Sequence, residues 1–217
     1  MASSSDSSDL IVWVDCEMTG LDLEQDALIE IAVVVTDSDL KLVDEGIDVL
    51  VTPPAAALAQ MSDLVRDMHT SSGLLEALAT DSLTLEEASR QVFDYVTERV
   101  PDPRRAPLAG NTVGTDRAFL DRDMPQLGEH LHYRIIDVSS IKELARRWYP
   151  RVYFNSPEKT GGHRAMADIL ESITELRYYR SALFPPPPGP DTSTTRRLAA
   201  QAVIESQPQF GAETTGP

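Results

Sequence analysis

Two hydrophobic rhythms share the chain. Residues 10–17 (LIVWVDCE) and 28–37 (LIEIAVVVTD) are short apolar runs dense in β-branched residues, the pattern of buried strands. Residues 40–51 (LKLVDEGIDVLV) alternate apolar with polar and predict a third strand, paired with the second across the turn at 37–39 and ended by Pro53 and Pro54. Helical spacing then appears at Leu85, Ala88, Val92, Tyr95 and Val96, behind a capping box of Thr84 and Glu87. Residues 107–111 (PLAGN) predict a short buried strand leading into a helix at 116–123, and 133–138 (YRIIDV) another strand. That strand runs into a helix with Ile141, Leu144, Ala145 and Trp148 on one face, with Ser140 and Glu143 as its capping box and Pro150 as its stop. A last helix, over about 164–182, carries Met166, Ile169, Leu170, Ile173 and Leu176. Three strands followed by alternating strands and helices predict an α/β fold, a mixed sheet with helices on its faces.

The folded unit is expected at 10–184. Residues 1–9 (MASSSDSSD) read as a disordered leader, and 185–217 open with four prolines and continue Thr-, Ser-, Ala- and Gln-rich. That composition predicts a mobile tail with a short helix near 197–205. A length of 217 residues suits one domain with a substantial core. No apolar run approaches the roughly 20 residues needed to span a bilayer. The leader lacks the basic and apolar regions of a secretory signal. A single cysteine, Cys16, excludes an intrachain disulfide and suits a reducing compartment. Together these predict a cytoplasmic protein without a membrane partner.

The formal net charge of −16 changes the picture further. Tight, non-specific grip on long nucleic acid comes from Lys and Arg neutralising many phosphates, and a strongly negative surface opposes it. A substrate with one or two phosphates, held through bound cations, stays open.

Candidate chemistry lies in the acids. Asp15 and Glu17 stand two apart in the first strand, so both carboxylates leave the same face while Cys16 points the other way. Such a pair raises a pKa unless a cation lies between them, and hard ions such as Mg²⁺ prefer carboxylate oxygen. Taken alone, the pair is equally a couple of solvated acids at a strand end. Asp116, in GNTVGTD, follows a buried strand, and the Gly110, Asn111 and Gly114 pattern permits close backbone approach and unusual dihedrals; by itself it also reads as a helix N-cap. Asp168 lies one turn into the last helix among apolar neighbours, either a buried ligand or an acid on the helix edge. His163 precedes it by five positions, about 140° away on a continuous helix. Placed in the Gly161–Gly162 loop, His163 is free to fold over the same site. A histidine there suits proton transfer near neutral pH, though a lone one is more often a surface loop residue.

In order and local context, Asp15, Glu17, Asp116, His163 and Asp168 resemble the five-residue signature of the DEDDh exonucleases. The phrases WVDCEMTGLD, MHTSSGL (68–74), AGNTVGTDRAFL (109–120), RIIDVSSIKELARRW (134–148) and HRAMADILESITELRYYR (163–180) resemble the oligoribonuclease branch of that family over essentially all of 10–184. The resemblance implies a ribonuclease-H-like exonuclease fold with a five-stranded mixed sheet. It implies two Mg²⁺ or Mn²⁺ ions held by Asp15, Glu17, Asp116 and Asp168, with His163 as general base. The implied activity is 3′→5′ hydrolysis of very short RNA, chiefly dinucleotides and including linear products of cyclic-dinucleotide breakdown, to 5′-mononucleotides. It further implies a homodimer, with Thr112, Arg134 and Ser139 capping the substrate's 5′-phosphate and Tyr133 reaching in from the partner subunit. Leu21 matches a wedge between the two bases and His69 a substrate contact near the 3′ end. Ser139 could equally cap a helix, and Leu21 could be core. Departures are Cys16 at an ordinarily aliphatic position, Thr112 where serine is common, and the tail after 184. The alternatives are a DEDDh exonuclease that trims or proofreads longer RNA or DNA strands, and a catalytically silent nuclease-like module. The acidic balance opposes the former and the presence of all five residues the latter.

Overall fold

A computed structural model describes residues 10–159 and 162–206. In chain order it contains β1 (Ile11–Met18), β2 (Leu28–Thr36), β3 (Ile47–Leu50), α1 (Ala55–Gln60), α2 (Asp63–Ser71), α3 (Leu74–Asp81), α4 (Leu85–Arg99) and β4 (Pro107–Gly110). There follow α5 (Gly114–Asp123), α6 (Pro125–His130), β5 (His132–Asp137), α7 (Val138–Trp148), α8 (Pro150–Phe154), α9 (Ala165–Leu183) and α10 (Thr192–Ser206). The five strands form one mixed sheet in the order β3-β2-β1-β4-β5, the fold class expected from the sequence. β1 runs antiparallel to β2 and parallel to β4; β2 and β3 are antiparallel, and β4 and β5 parallel.

Alternation along β1 distributes its side chains between two cores. Val12, Val14 and Cys16 enter one, with Ala88, Val92 and Val96 of α4, Phe119 and Leu120 of α5, and Leu127 of α6. Trp13 enters the other, with Val138 and Ala145 of α7 and Ile169, Ile173, Leu176 and Tyr179 of α9. Cys16 therefore faces away from Asp15 and Glu17, as the strand period requires. Every residue of β2 is buried, which explains why it reads as a continuous apolar run rather than an alternating one.

Several boundaries moved for identifiable reasons. The third strand is four residues long, not twelve. Leu40 takes φ +65° and Gly46 φ +84°, and Asp44 accepts from the Gly46 amide at 3.0 Å while also receiving Tyr95 Oη and Arg99. These turns leave only a bridge at Leu42 and then the Ile47–Leu50 ladder. The Thr84–Glu87 capping box is present on α4. The box expected from Ser140 and Glu143 is not: Asp137 caps α7 by accepting from the Ser139 amide, and Glu143 pairs with Arg146 and Arg147. Helices α1 to α3 went unpredicted because α2 buries only His69 and α3 only Leu74, too little to print an apolar period. Gly73 joins them at φ +74°, a left-handed turn that glycine takes without steric cost. In the tail, α10 runs longer than the predicted 197–205 and leaves Leu198, Val203 and Ile204 exposed. The leader at 1–9 and residues 207–217 lie outside the described residues. Among the described residues no helix is long and apolar enough to cross a membrane.

The two cores should be sensitive to cavities. Leu120, with no exposed surface, anchors α5 to the sheet; Leu120→Ala is expected to lower the unfolding free energy by about 2–5 kcal/mol. Urea titration against the parent protein measures this, and a loss well under that range would mean that α5 repacks freely.

Candidate active site

Asp15 and Glu17 project from the end of β1 toward the α9 side of the sheet. Asp168, fourth residue of α9, meets them there. One carboxylate oxygen from each of the three lies within 4.8 Å of the others, the arrangement of a cation site. Asp116 is close but stands outside that trio. It is buried in the first turn of α5, and its Oδ1 accepts from the Cys16 amide at 2.9 Å. The helix start is thereby tied to the strand residue between Asp15 and Glu17, so the N-cap reading of Asp116 does not hold. The close approach that makes this possible sits one strand over. A Cβ on Gly110 would lie 2.8 Å from the Val14 carbonyl, so β4 can run this close to β1 only with glycine there. Gly114 has open space around it, and the unusual dihedral of this loop belongs to Thr112, at φ +55°.

Burial and mutual repulsion dominate the electrostatics. Burial, then Asp116, Asp168, Glu17 and Glu30, push the Asp15 pKa up to about 9. Burial, then Asp168, Glu30 and Asp116, raise Glu17 to about 7, with Arg164 opposing. Burial raises Asp116 to about 6 against the hydrogen bond from Cys16. Asp168 is raised by burial and by Glu171, and lowered by His163 and Lys159. Among the described residues no Arg or Lys forms an ion pair with Asp15, Glu17 or Asp168. Partly buried hard oxygen donors of like charge, without an Arg or Lys counter-ion, fit a divalent cation of the Mg²⁺ type.

His163 is exposed, just before α9, and takes φ +46°; Gly161 of the expected loop lies outside the described residues. Two buried acids that the sequence reading passed over make contacts to or from α9. Glu30, buried in β2 and paired in register with Glu17, binds Arg164 and the Ala165 amide. Glu175, buried in α9, meets Lys142 at 3.1 Å, Lys159 at 3.4 Å and the Asn111 side-chain amide at 3.2 Å. The signal for Glu30 was an acid inside a run of otherwise apolar strand residues, since charges are seldom fully buried unless paired.

The expected substrate positions divide into two kinds. Leu21 is 74% exposed on the loop after β1, so it is not core. Tyr133 and Arg134 are exposed on β5, with the Arg134 guanidinium 5.4 Å from the Tyr133 ring centroid. Thr112 and Ser139 are brought together by Asp137, whose Oδ1 accepts from the Thr112 amide at 2.9 Å and from Ser139 Oγ at 2.7 Å. His69 is different. Its ring has no exposed surface; Nε2 lies 2.9 Å from the Met18 carbonyl, and Nδ1 lies 3.9 Å from Glu17 Oε2 without a hydrogen-bond partner. In this structure His69 backs Glu17 rather than facing open solvent.

The strand order and the carboxylate trio make this a mixed-sheet α/β protein with a candidate cation site on β1 and α9. Solved exonuclease I structures share that fold: the Escherichia coli enzyme in a zinc-bound complex with single-stranded DNA superposes with a TM-score of 0.65 at 13% identity, over 81% of this chain and 41% of that one. The Methylocaldum szegediense enzyme gives 0.58 at 17% identity, over 80% of this chain and 41% of that one. This chain thus corresponds to about two fifths of those longer proteins. The exonuclease family model (RNase T) matches residues 12–176. The nearer relationship is narrower. The oligoribonuclease of Streptomyces avermitilis is 62% identical over 92% of this chain and 100% of its own length, and that of Leifsonia xyli 59% over 94% and 99%. The chain belongs to the oligoribonuclease family.

The raised acids make stability depend on pH in a defined direction. Asp15 and Glu17 hold their protons more tightly folded than unfolded. Their contribution is complete below the ordinary values of 3.8 and 4.5 and is lost as pH rises through about 7 for Glu17 and about 9 for Asp15. The Tm of chelator-treated protein is therefore expected to fall as pH rises from about 5 to about 9. Mn²⁺ should restore more of it at the alkaline end, because the ion binds the deprotonated acids. A Tm that is level across this range and indifferent to Mn²⁺ would show that these carboxylates neither lose protons at a cost nor gather a cation.

Proposed function

We propose that this protein hydrolyses very short RNA, chiefly dinucleotides, from the 3′ end to 5′-mononucleotides. The observation that carries the proposal is the Asp15–Glu17–Asp168 trio beside His163, in a chain so similar to proteins named oligoribonuclease. Asp15, Glu17 and Asp168, with Asp116 adding its charge, would hold two Mg²⁺ or Mn²⁺ ions. Bound there, such ions lower the pKa of an attacking water and stabilise the leaving 3′-oxygen. His163 would accept the proton of that water at an imidazole nitrogen; its exposed side chain suits exchange of that proton with solvent.

Substrate length follows from charge and from the second cluster. With a formal charge of −16 the chain opposes a long polyanion, so affinity has to come from a few directed contacts. Arg134 has a guanidinium fork matched to a terminal 5′-phosphate, and Asp137 holds the Thr112 backbone amide and the Ser139 hydroxyl together, so that both residues would take part in binding it. Leu21 is exposed enough to slide between two bases. His69 would act through Glu17. A homodimer would cover large apolar side chains left exposed: Tyr133 on the edge strand β5, Trp148 on α7 and Phe154 on α8 are 76%, 66% and 79% exposed. In that dimer Tyr133 would serve the partner's site.

Given Mg²⁺, the purified protein should cleave a 5′-labelled RNA dinucleotide rapidly and barely touch a strand of about 20 nucleotides. Excess EDTA and Asp168→Ala should each abolish cleavage. Efficient trimming of the long strand with the dinucleotide intact would instead make it an exonuclease for longer chains. Trp148→Glu is expected to yield a monomer in sedimentation equilibrium and to depress dinucleotide cleavage; a Trp148→Glu protein that stays dimeric would remove Trp148 from the interface.

A further inference from the structure

Glu30 sits in the middle of β2 with no solvent-accessible surface. Its Oε1 receives both Nε and Nη2 of Arg164 at 2.7 Å, and its Oε2 receives the Ala165 amide at 3.1 Å. The last of these is unusual in its source. A helix start leaves four amides without partners, normally answered by the side chain of the N-cap residue. In α9 the N-cap is Arg164, which caps nothing, and the first amide of the helix is satisfied from across the sheet by Glu30. A negative charge at that place also suits the helix dipole.

This contact has consequences on both sides. On the strand side, Glu30 is the register partner of Glu17. On the helix side, the residue just before Arg164 is His163, at φ +46°, a conformation costly for any side-chain-bearing residue and kept only where its neighbours are restrained. One turn further in, the Asp168 amide bonds the Arg164 carbonyl at 3.1 Å. A fully buried carboxylate tolerates little displacement from its partners, because an unpaired charge there is expensive. The Glu30 contacts therefore fix where α9 begins.

We propose that Glu30 is the positioning residue of this site: by holding Arg164 and Ala165 on β2 it sets where both His163 and Asp168 stand relative to Asp15 and Glu17. The proposal rests on reading the site as that of a metal-dependent nuclease. Glu30→Gln keeps the volume and an acceptor for Ala165 but loses the ion pair; Arg164→Lys, at a partly exposed position, keeps the charge but loses the fork. Mn²⁺ binding to RNA-free protein, followed by calorimetry, is expected to weaken about tenfold or more in Glu30→Gln and by less in Arg164→Lys. In the same variants kcat on the dinucleotide should fall about tenfold or more with KM changed less than about threefold, since misplacement acts on the reacting geometry. Arg180→Ala, which cuts an ion pair to Asp39 at the far end of α9, should lower Tm without moving Mn²⁺ affinity or kcat.

Variants that lose Tm yet keep parental Mn²⁺ affinity and kcat would overturn the proposal, leaving Glu30 a purely structural anchor. If Glu30→Gln does not fold, Arg164→Lys decides the matter by the same two measurements. Parent protein that neither binds Mn²⁺ nor cuts the dinucleotide would instead overturn the nuclease reading beneath it.

Discussion

Like charges forced together out of water are the constraint around which this molecule is arranged. Asp15, Glu17, Asp116, Asp168 and Glu30 crowd one end of β1 and its neighbours; burial raises the first four toward protonation, and nearby carboxylates add to this at Asp15, Glu17 and Asp168. Each group has a different remedy. Asp116 takes a backbone amide, Glu30 takes a guanidinium and a helix start, and Asp168 feels His163 and Lys159. Asp15 and Glu17 have the weakest remedies within the chain, and a site left short of positive charge is one that gathers a cation.

The scaffold serves that arrangement directly. Alternation along β1 places Cys16 in one core and its two acidic neighbours over the other. The parallel approach of β4, permitted by Gly110, brings α5 close enough for Asp116 to reach the Cys16 amide. The antiparallel partner β2 supplies Glu30, which ties on α9 and with it Asp168 and the His163 segment. The acids therefore arrive from four elements, β1, β2, α5 and α9, and moving any one element breaks the group. The second cluster is organised on the same principle, with Asp137 holding Thr112 and Ser139 together where β4 and β5 end.

Much of this was legible in the residues themselves. The strand runs at β1 and β2, the spacing on α4, α7 and α9, and the order of Asp15, Glu17, Asp116, His163 and Asp168 each have a local cause that a sequence displays. Other features have no such cause. Helices α1 to α3 bury almost nothing of their own, so no period announces them. The third strand shortened because the Asp44–Gly46 turn is stabilised by Tyr95 and Arg99, residues fifty positions on. His69 matched a substrate contact near the 3′ end by resemblance; that its ring lies enclosed behind Glu17 follows from α2 folding back on the end of β1.

What the sequence determined by itself is the set of acids, the alternation that points two of them the same way, and the periodicities that make strands and helices of their carriers. Those are properties of neighbours along the chain. What only the tertiary structure decided is which acids share a few ångströms, which are consumed as anchors, and which stay short of a counter-charge. Glu30 and Glu17 are both buried acids on adjacent strands, indistinguishable by composition. One meets Arg164 and a helix start, and the other meets two more carboxylates. Distance between charges, and the water excluded from between them, is set by packing of segments more than a hundred residues apart, and no local pattern encodes it.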